Sequence, residues 1–399
     1  MLSESERAMK KFLKILLIII ISLAAIVYGG VFLGHKVIFK EVTSNVATIQ
    51  AATDGTLTLG VQAHPIQPTK IDGYINILAG QVSRYNKIAP NLWSDNTIVN
   101  QQVIVEEIEK AEFWRIAPDG AVTTLSEDEA LTYGFYRGSY FGGFDFFDGG
   151  AYLAVSEKDL NNYLLFEKYL HLGTYDAFIT FVHEGFHVIE QPKWEKISAS
   201  NVLNTERDEF LQDTPARAKR DLLQRQLLKA VNEPGSTQPI LDALATYEDY
   251  KKQFPEDYKN SVYTDRIEGT AYYYELISCL YLSYSEQIKS AGDLERALAL
   301  LATRDDIYVE HGLVVEGYHI GGFSCALLDR LERDWEERLK NDAEMTPIEM
   351  LYQHFSDETL PPPKQLSQEE IDAVGAAIKK TSESAGPQLL FKFLYNILF

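Results

Sequence analysis

The chain has 399 residues, 46% hydrophobic and 12% aromatic, enough apolar material for one large domain or two modest ones and too much for a disordered polymer. A formal charge of −21 and a pI near 4.8 exclude nucleic acid as a partner, because a phosphate backbone needs clustered Lys and Arg to neutralise it. The two cysteines, Cys279 and Cys325, lie in apolar, helix-like stretches and read as buried free thiols, which excludes a disulfide scaffold.

At the N-terminus Arg7, Lys10, Lys11 and Lys14 precede a charge-free run from Ile15 to Leu33. A helix of about 20 apolar residues matches the hydrocarbon core of a bilayer, and basic residues favour the cytoplasmic side. The expectation is a cytoplasmic segment over 1–14, a single membrane anchor over 15–34, and a body facing outward. A cleaved signal peptide is the alternative, since Ser22-Leu23-Ala24-Ala25 offers small residues. Residues 35–72 read as a tether and the start of the fold.

Residues 73–158 form a mixed part with a small sheet. Val103-Ile104-Val105 and Phe113-Trp114-Arg115-Ile116 have β character, Pro118-Asp119-Gly120 supplies turn chemistry, and Ala151-Tyr152-Leu153-Ala154-Val155 reads as a further strand. From 159 to 345 helical periodicity dominates, with helices expected near 160–171, 175–190, 215–231, 237–253, 265–287, 292–302 and 323–339. Residues 346–399 read as a helical tail. Its last dozen residues, Gln388 to Phe399, are apolar but too short to span a bilayer as a helix.

The chemistry concentrates in His183-Glu184-Gly185-Phe186-His187. On a helix, side chains four apart lie one above the other, so His183 and His187 can aim imidazole nitrogens at one metal ion while Glu184 reaches a water on it. The flanks favour a helix: Tyr175 to Glu190 has no Pro, and Phe178, Phe181, Val182, Phe186 and Val188 would cover a buried rod. Thr174 reads as its N-cap, and Asp176 falls in the first turn, where the dipole favours it. Zn2+ on such ligands, with one position open, activates water and polarises a carbonyl, and Glu184 beside it reads as general base. No third His follows. Glu268, in Arg266-Ile267-Glu268-Gly269-Thr270-Ala271, is the first candidate for third ligand, with Gly269 and Ala271 letting its helix approach the metal helix. Glu275, two turns on along the same face, is the alternative.

These residues resemble the gluzincin-type zinc metallopeptidases, the group of thermolysin and the zinc aminopeptidases, and within it secreted bacterial proteins with His-Glu-x-Phe-His followed by Glu-Gly-x-Ala-x-Tyr. As motifs the resemblance covers roughly residues 150 to 340. It implies an α+β, zincin-like fold, with a small N-terminal β-sheet part, a mainly helical C-terminal half carrying the ligands, and a cleft between them. It also implies an oxyanion donor downstream of the ligand Glu, for which Tyr318 is the first candidate and His319 the second, in Tyr318-His319-Ile320-Gly321-Gly322. The strand at 151–155 would be either an ordinary core strand or one that pairs with extended substrate. One departure stands out: where thermolysin-like enzymes carry an Asp that supports a ligating histidine from behind, this chain has Tyr272, so Glu275 or Glu190 would have to serve. The expected activity is zinc-dependent hydrolysis of peptide bonds in peptides or proteins outside the cytoplasm. The alternatives are an inactive binding protein on the same fold and a zinc hydrolase of a non-peptide amide or ester.

Overall fold

Hydrophobic alternation builds the sheet. The computed structural model describes residues 45–51, 57–63, 70–93, 98, 100–135, 144–157, 176–194, 213–284, 286–302, 313–332 and 334–379. Strands β1 (Asn45–Ala51) and β2 (Leu57–Ala63) pair as a two-stranded sheet. After helix α1 (Ile71–Ile88) come β3 (Gln102–Glu107), β4 (Glu112–Ile116), β5 (Val122–Leu125), the short helix α2 (Glu127–Leu131), β6 (Phe144–Phe147) and β7 (Gly150–Val155). They form one mixed sheet in the order β5-β4-β3-β7-β6, in which only β3 and β7 run parallel.

Side chains alternate between its faces, as the two-residue period of a strand requires. Val103, Val105, Trp114, Ile116, Ala151, Leu153 and Val155 join the main core, while Ile104, Phe113, Tyr152 and Ala154 pack with Ala130 and Phe135 in a second, smaller cluster. Strand β7 is buried along its whole length and has a partner on each side, so its backbone groups are committed. This decides between the two readings of residues 151–155: they form a core strand, and the strand at that edge of the sheet is β6.

The C-terminal half is mainly helical. Helix α3 (Asp176–Gly185) continues through a single π turn (Phe186–Glu190) into a 3₁₀ turn (Gln191–Lys193). There follow α4 (Thr214–Asn232), α5 (Gln238–Gln253), α6 (Pro255–Tyr284), α7 (Ala291–Ala302), α8 (Leu313–Leu331), α9 (Trp335–Lys340), α10 (Pro347–His354) and helical residues 368–379. The architecture is α+β with the expected division into a sheet part and a helical half. Elements from β2 onward fall in one compact unit, Val46–Phe399. Among the described residues no helix is long and apolar enough to cross a membrane. The expected anchor at 15–34, the cap Thr174, the expected helix at 160–171 and the apolar stretch 388–399 lie outside the described residues.

Helix α1 has no counterpart among the expected helices, and two others differ from their expected bounds. Helix α6 starts ten residues earlier than 265, because Pro255 is favoured in a first turn, where its missing N–H costs nothing. Instead of one helix over 323–339 there are two, α8 and α9, and α8 begins at Leu313. Its Gly317, Gly321 and Gly322 read locally as helix breakers, yet they are what lets α8 lie against α6. A Cβ at Gly321 would collide with the Asp265 carbonyl, one at Gly269 with the Gly321 backbone, and one at Gly317 would come 2.8 Å from Thr264. Gly269 therefore serves the α6–α8 contact rather than the approach to the metal helix. Both cysteines are free and buried.

Candidate metal centre

Helix α3 is held by its apolar face. Phe178, Phe181, Val182 and Phe186 are buried, each contributing about 1.5–3 kcal/mol of transfer free energy. Tyr85 of α1 meets Phe178 and Phe181 edge-on, and Trp93, Trp194 and Tyr274 surround Phe186. Val188, expected on this face, is exposed instead. On the flank toward the sheet, a Cβ at Gly185 would sit 3.4 Å from Ile98 and 3.5 Å from the Phe146 ring of β6.

The opposite face carries the polar group. His183 Nε2 and His187 Nε2 are 3.1 Å apart, and Glu268 Oε2 of α6 lies 3.4 Å from the first and 3.3 Å from the second. His183, His187 and Glu268 thus form a group that could hold a metal ion. A tetrahedral ion with bonds of about 2.0–2.1 Å to nitrogen and oxygen keeps its donors about 3.3 Å apart, which is the spacing seen. Two imidazoles and one carboxylate suit zinc and its transition-metal neighbours rather than calcium or magnesium, which take oxygen ligands.

The electrostatics favour a cation here. Burial pulls the His183 imidazole down, but Glu268 and Glu275 outweigh it and hold its pKa up at about 10. Burial raises the Glu268 carboxyl, and the two imidazoles outweigh that and bring it to about 2. A metal ion competes with the proton for the same imidazole nitrogen, so a site that draws in one draws in the other.

Glu275 and Glu268 are not rivals for one position. Glu275 Oε2 lies 2.9 Å from His183 Nδ1, on the far side of the ring from Glu268. Glu190 is engaged elsewhere, with Lys193, Lys340 and the Trp194 indole. Of the two carboxylates suited to replace the absent Asp, the structure places Glu275 behind the histidine. Glu184 is exposed and has no hydrogen-bond partner among the described residues.

Tyr318 and His319 separate. The Tyr318 ring meets His183 edge-on at 5.5 Å between centroids and stacks on Tyr272. Burial and the nearby Glu268 and Glu275 carboxylates raise its phenol, which therefore stays protonated as a donor. His319, about 100° further round α8, turns to α4, where Nδ1 lies 2.9 Å from Gln224 Oε1. Burial pushes it down to about 4, leaving it neutral. Arg266 donates to the carbonyls of Leu339, Asp342 and Met345. Tyr263 also belongs to this neighbourhood, its phenol raised by burial and by Glu268. No family model, curated protein or solved structure matches the chain.

Proposed function

We propose that this chain is a zinc-dependent metallopeptidase of the gluzincin type with a zincin-like fold, its metal held by His183, His187 and Glu268. What carries the reading is the convergence of those three donor atoms beside an exposed carboxylate, Glu184, next in sequence to the first ligand. When bound, zinc lowers the pKa of a water toward neutrality and polarises a carbonyl oxygen.

Glu184 accepts a proton as water oxygen bonds to the carbonyl carbon, then delivers it to the amine nitrogen as the C–N bond breaks. Glu275 accepts a hydrogen bond from the Nδ1–H of His183, which leaves Nε2 with its lone pair toward the group. Tyr318, kept protonated, donates to the developing oxyanion. The substrates are peptides or proteins outside the cytoplasm, reached by a body tethered through the apolar run at 15–34.

The test is zinc content and peptide-library cleavage by the full chain beside Glu184→Gln. The variant keeps its zinc and loses about 10²–10⁴-fold in cleavage, the contribution usual for a positioned base. A zinc-free wild type, or equal cleavage by both, overturns the proposal. Zinc binding without cleavage by either form favours the inactive binding protein instead.

A further inference from the structure

The two histidines are supported from behind in different ways. His183 has a carboxylate, whereas His187 Nδ1 lies 2.7 Å from Gln191 Oε1, one turn on and just past the π turn. The amide of Gln191 is engaged at both ends. Its Nε2 donates to the Ile267 carbonyl at 2.7 Å and to Thr270 Oγ1 at 2.9 Å, both on α6.

The Ile267 carbonyl can only accept, so the nitrogen end of the amide must face it and the oxygen end must face His187. Thr270 agrees, since its own hydroxyl proton is directed back to the Arg266 carbonyl at 2.7 Å, leaving a lone pair for Gln191. With an oxygen opposite it, His187 Nδ1 carries the hydrogen, and its Nε2 presents a lone pair to the group. Ile267 directly precedes Glu268. One buried amide therefore sets the tautomer of one ligand and ties the metal helix to the backbone beside another.

We propose that Gln191 is a positioning residue that preassembles the metal group by locking His187 and fastening it to helix α6. The inference rests on the metallopeptidase reading and deepens it. It distinguishes Gln191 from a mere acceptor behind a histidine, a part that a carboxylate would play as well or better. A glutamate at 191 would set an acceptor against the Ile267 carbonyl, so the near-isosteric change breaks the tie while keeping the acceptor for His187.

The experiment measures Zn2+ affinity of the full chain by chelator competition, and the visible spectrum of the Co2+-loaded protein, for wild type, Gln191→Ala and Gln191→Glu. Both variants bind zinc about 10–100-fold more weakly, and their Co2+ spectra shift. Circular dichroism confirms folding, and if the alanine variant fails to fold, the glutamate variant decides. Glutamate binding zinc as tightly as wild type overturns the tie, as does equal affinity in all three. A wild type that binds no zinc overturns the metallopeptidase reading and this inference with it.

Discussion

Two clusters of charge share helix α6, and they balance in opposite ways. Asp257 and Asp265 of α6, with Glu316 of α8, meet Arg217 and Arg220 of α4 in a closed network. Arg220 pairs with Asp265 at 2.6 Å and Glu316 at 2.7 Å, and Arg217 bridges Asp257 and Glu316. One turn along the same helix, Glu268 and Glu275 face His183 and His187, and among the described residues neither carboxylate pairs with a lysine or arginine. The first cluster supplies its own cations and is sealed from water. The second keeps some access to water and holds carboxylates whose counter-charge is only a pair of histidines. Burying ions is tolerable when each is paired with an opposite charge, and a group that lacks a fixed cation is one that can take one up.

The contrast breaks most visibly at the open cluster. Glu275→Ala is expected to weaken zinc binding about 10–100-fold, as loss of a support behind a ligating histidine does, and Glu268→Ala to weaken it further, because a ligand is lost. Chelator competition measures both, and a larger loss from the Glu275 change would exchange their roles. In the closed cluster, Arg220→Met leaves Asp265 and Glu316 short of a partner. It should destabilise the fold by about 3–5 kcal/mol, read from denaturant unfolding of the metal-free chain. A stability within 1 kcal/mol of wild type, taken as about the error of such a comparison, would show the network to be dispensable.

A further effect is pH-dependent and belongs to His319 of α8, which is in neither cluster. Its folded pKa of about 4 lies below its ordinary value near 6.5, so between those values the unfolded chain binds the extra proton. Its contribution is complete above pH 6.5 and is lost as pH falls toward 4, reaching at most about 3 kcal/mol. His319→Gln should flatten that part of the stability profile. An unchanged slope between pH 6.5 and 4 would mean that the imidazole does not remain neutral.

What was legible in the sequence follows the range of the interactions. The His183-Glu184-x-x-His187 spacing is a property of one helix turn, and the helix around it announced itself through Phe178, Phe181, Val182 and Phe186. Glu268 could be preferred to Glu275 from the sequence but their separate places could not be read there, because a seven-residue spacing puts both on one face. Only the fold shows them on opposite nitrogens of one imidazole. Gln191 carries a local signal, four residues after His187 on the same helix face, but its partners on α6 are set by the fold alone. Arg217 and Arg220 carried none, since their partners sit on other helices. The early start of helix α8 was not legible, because three glycines within six residues lower local helix propensity and only the neighbouring backbone of α6 shows why they stand there.

The π turn at Phe186–Glu190 amounts to one residue inserted into an α-helix, and this makes the candidate site sensitive to chain length as well as to residue identity. A deletion of Val188 would leave His183, Glu184 and His187 at their original spacing and let the helix run on with regular bonding. Gln191 would then follow His187 by three residues instead of four, and the geometry by which one amide meets both His187 Nδ1 and the Ile267 carbonyl would have to be rebuilt. Such a chain would retain every letter of the motif while changing the one spacing on which the fastening between its helices depends.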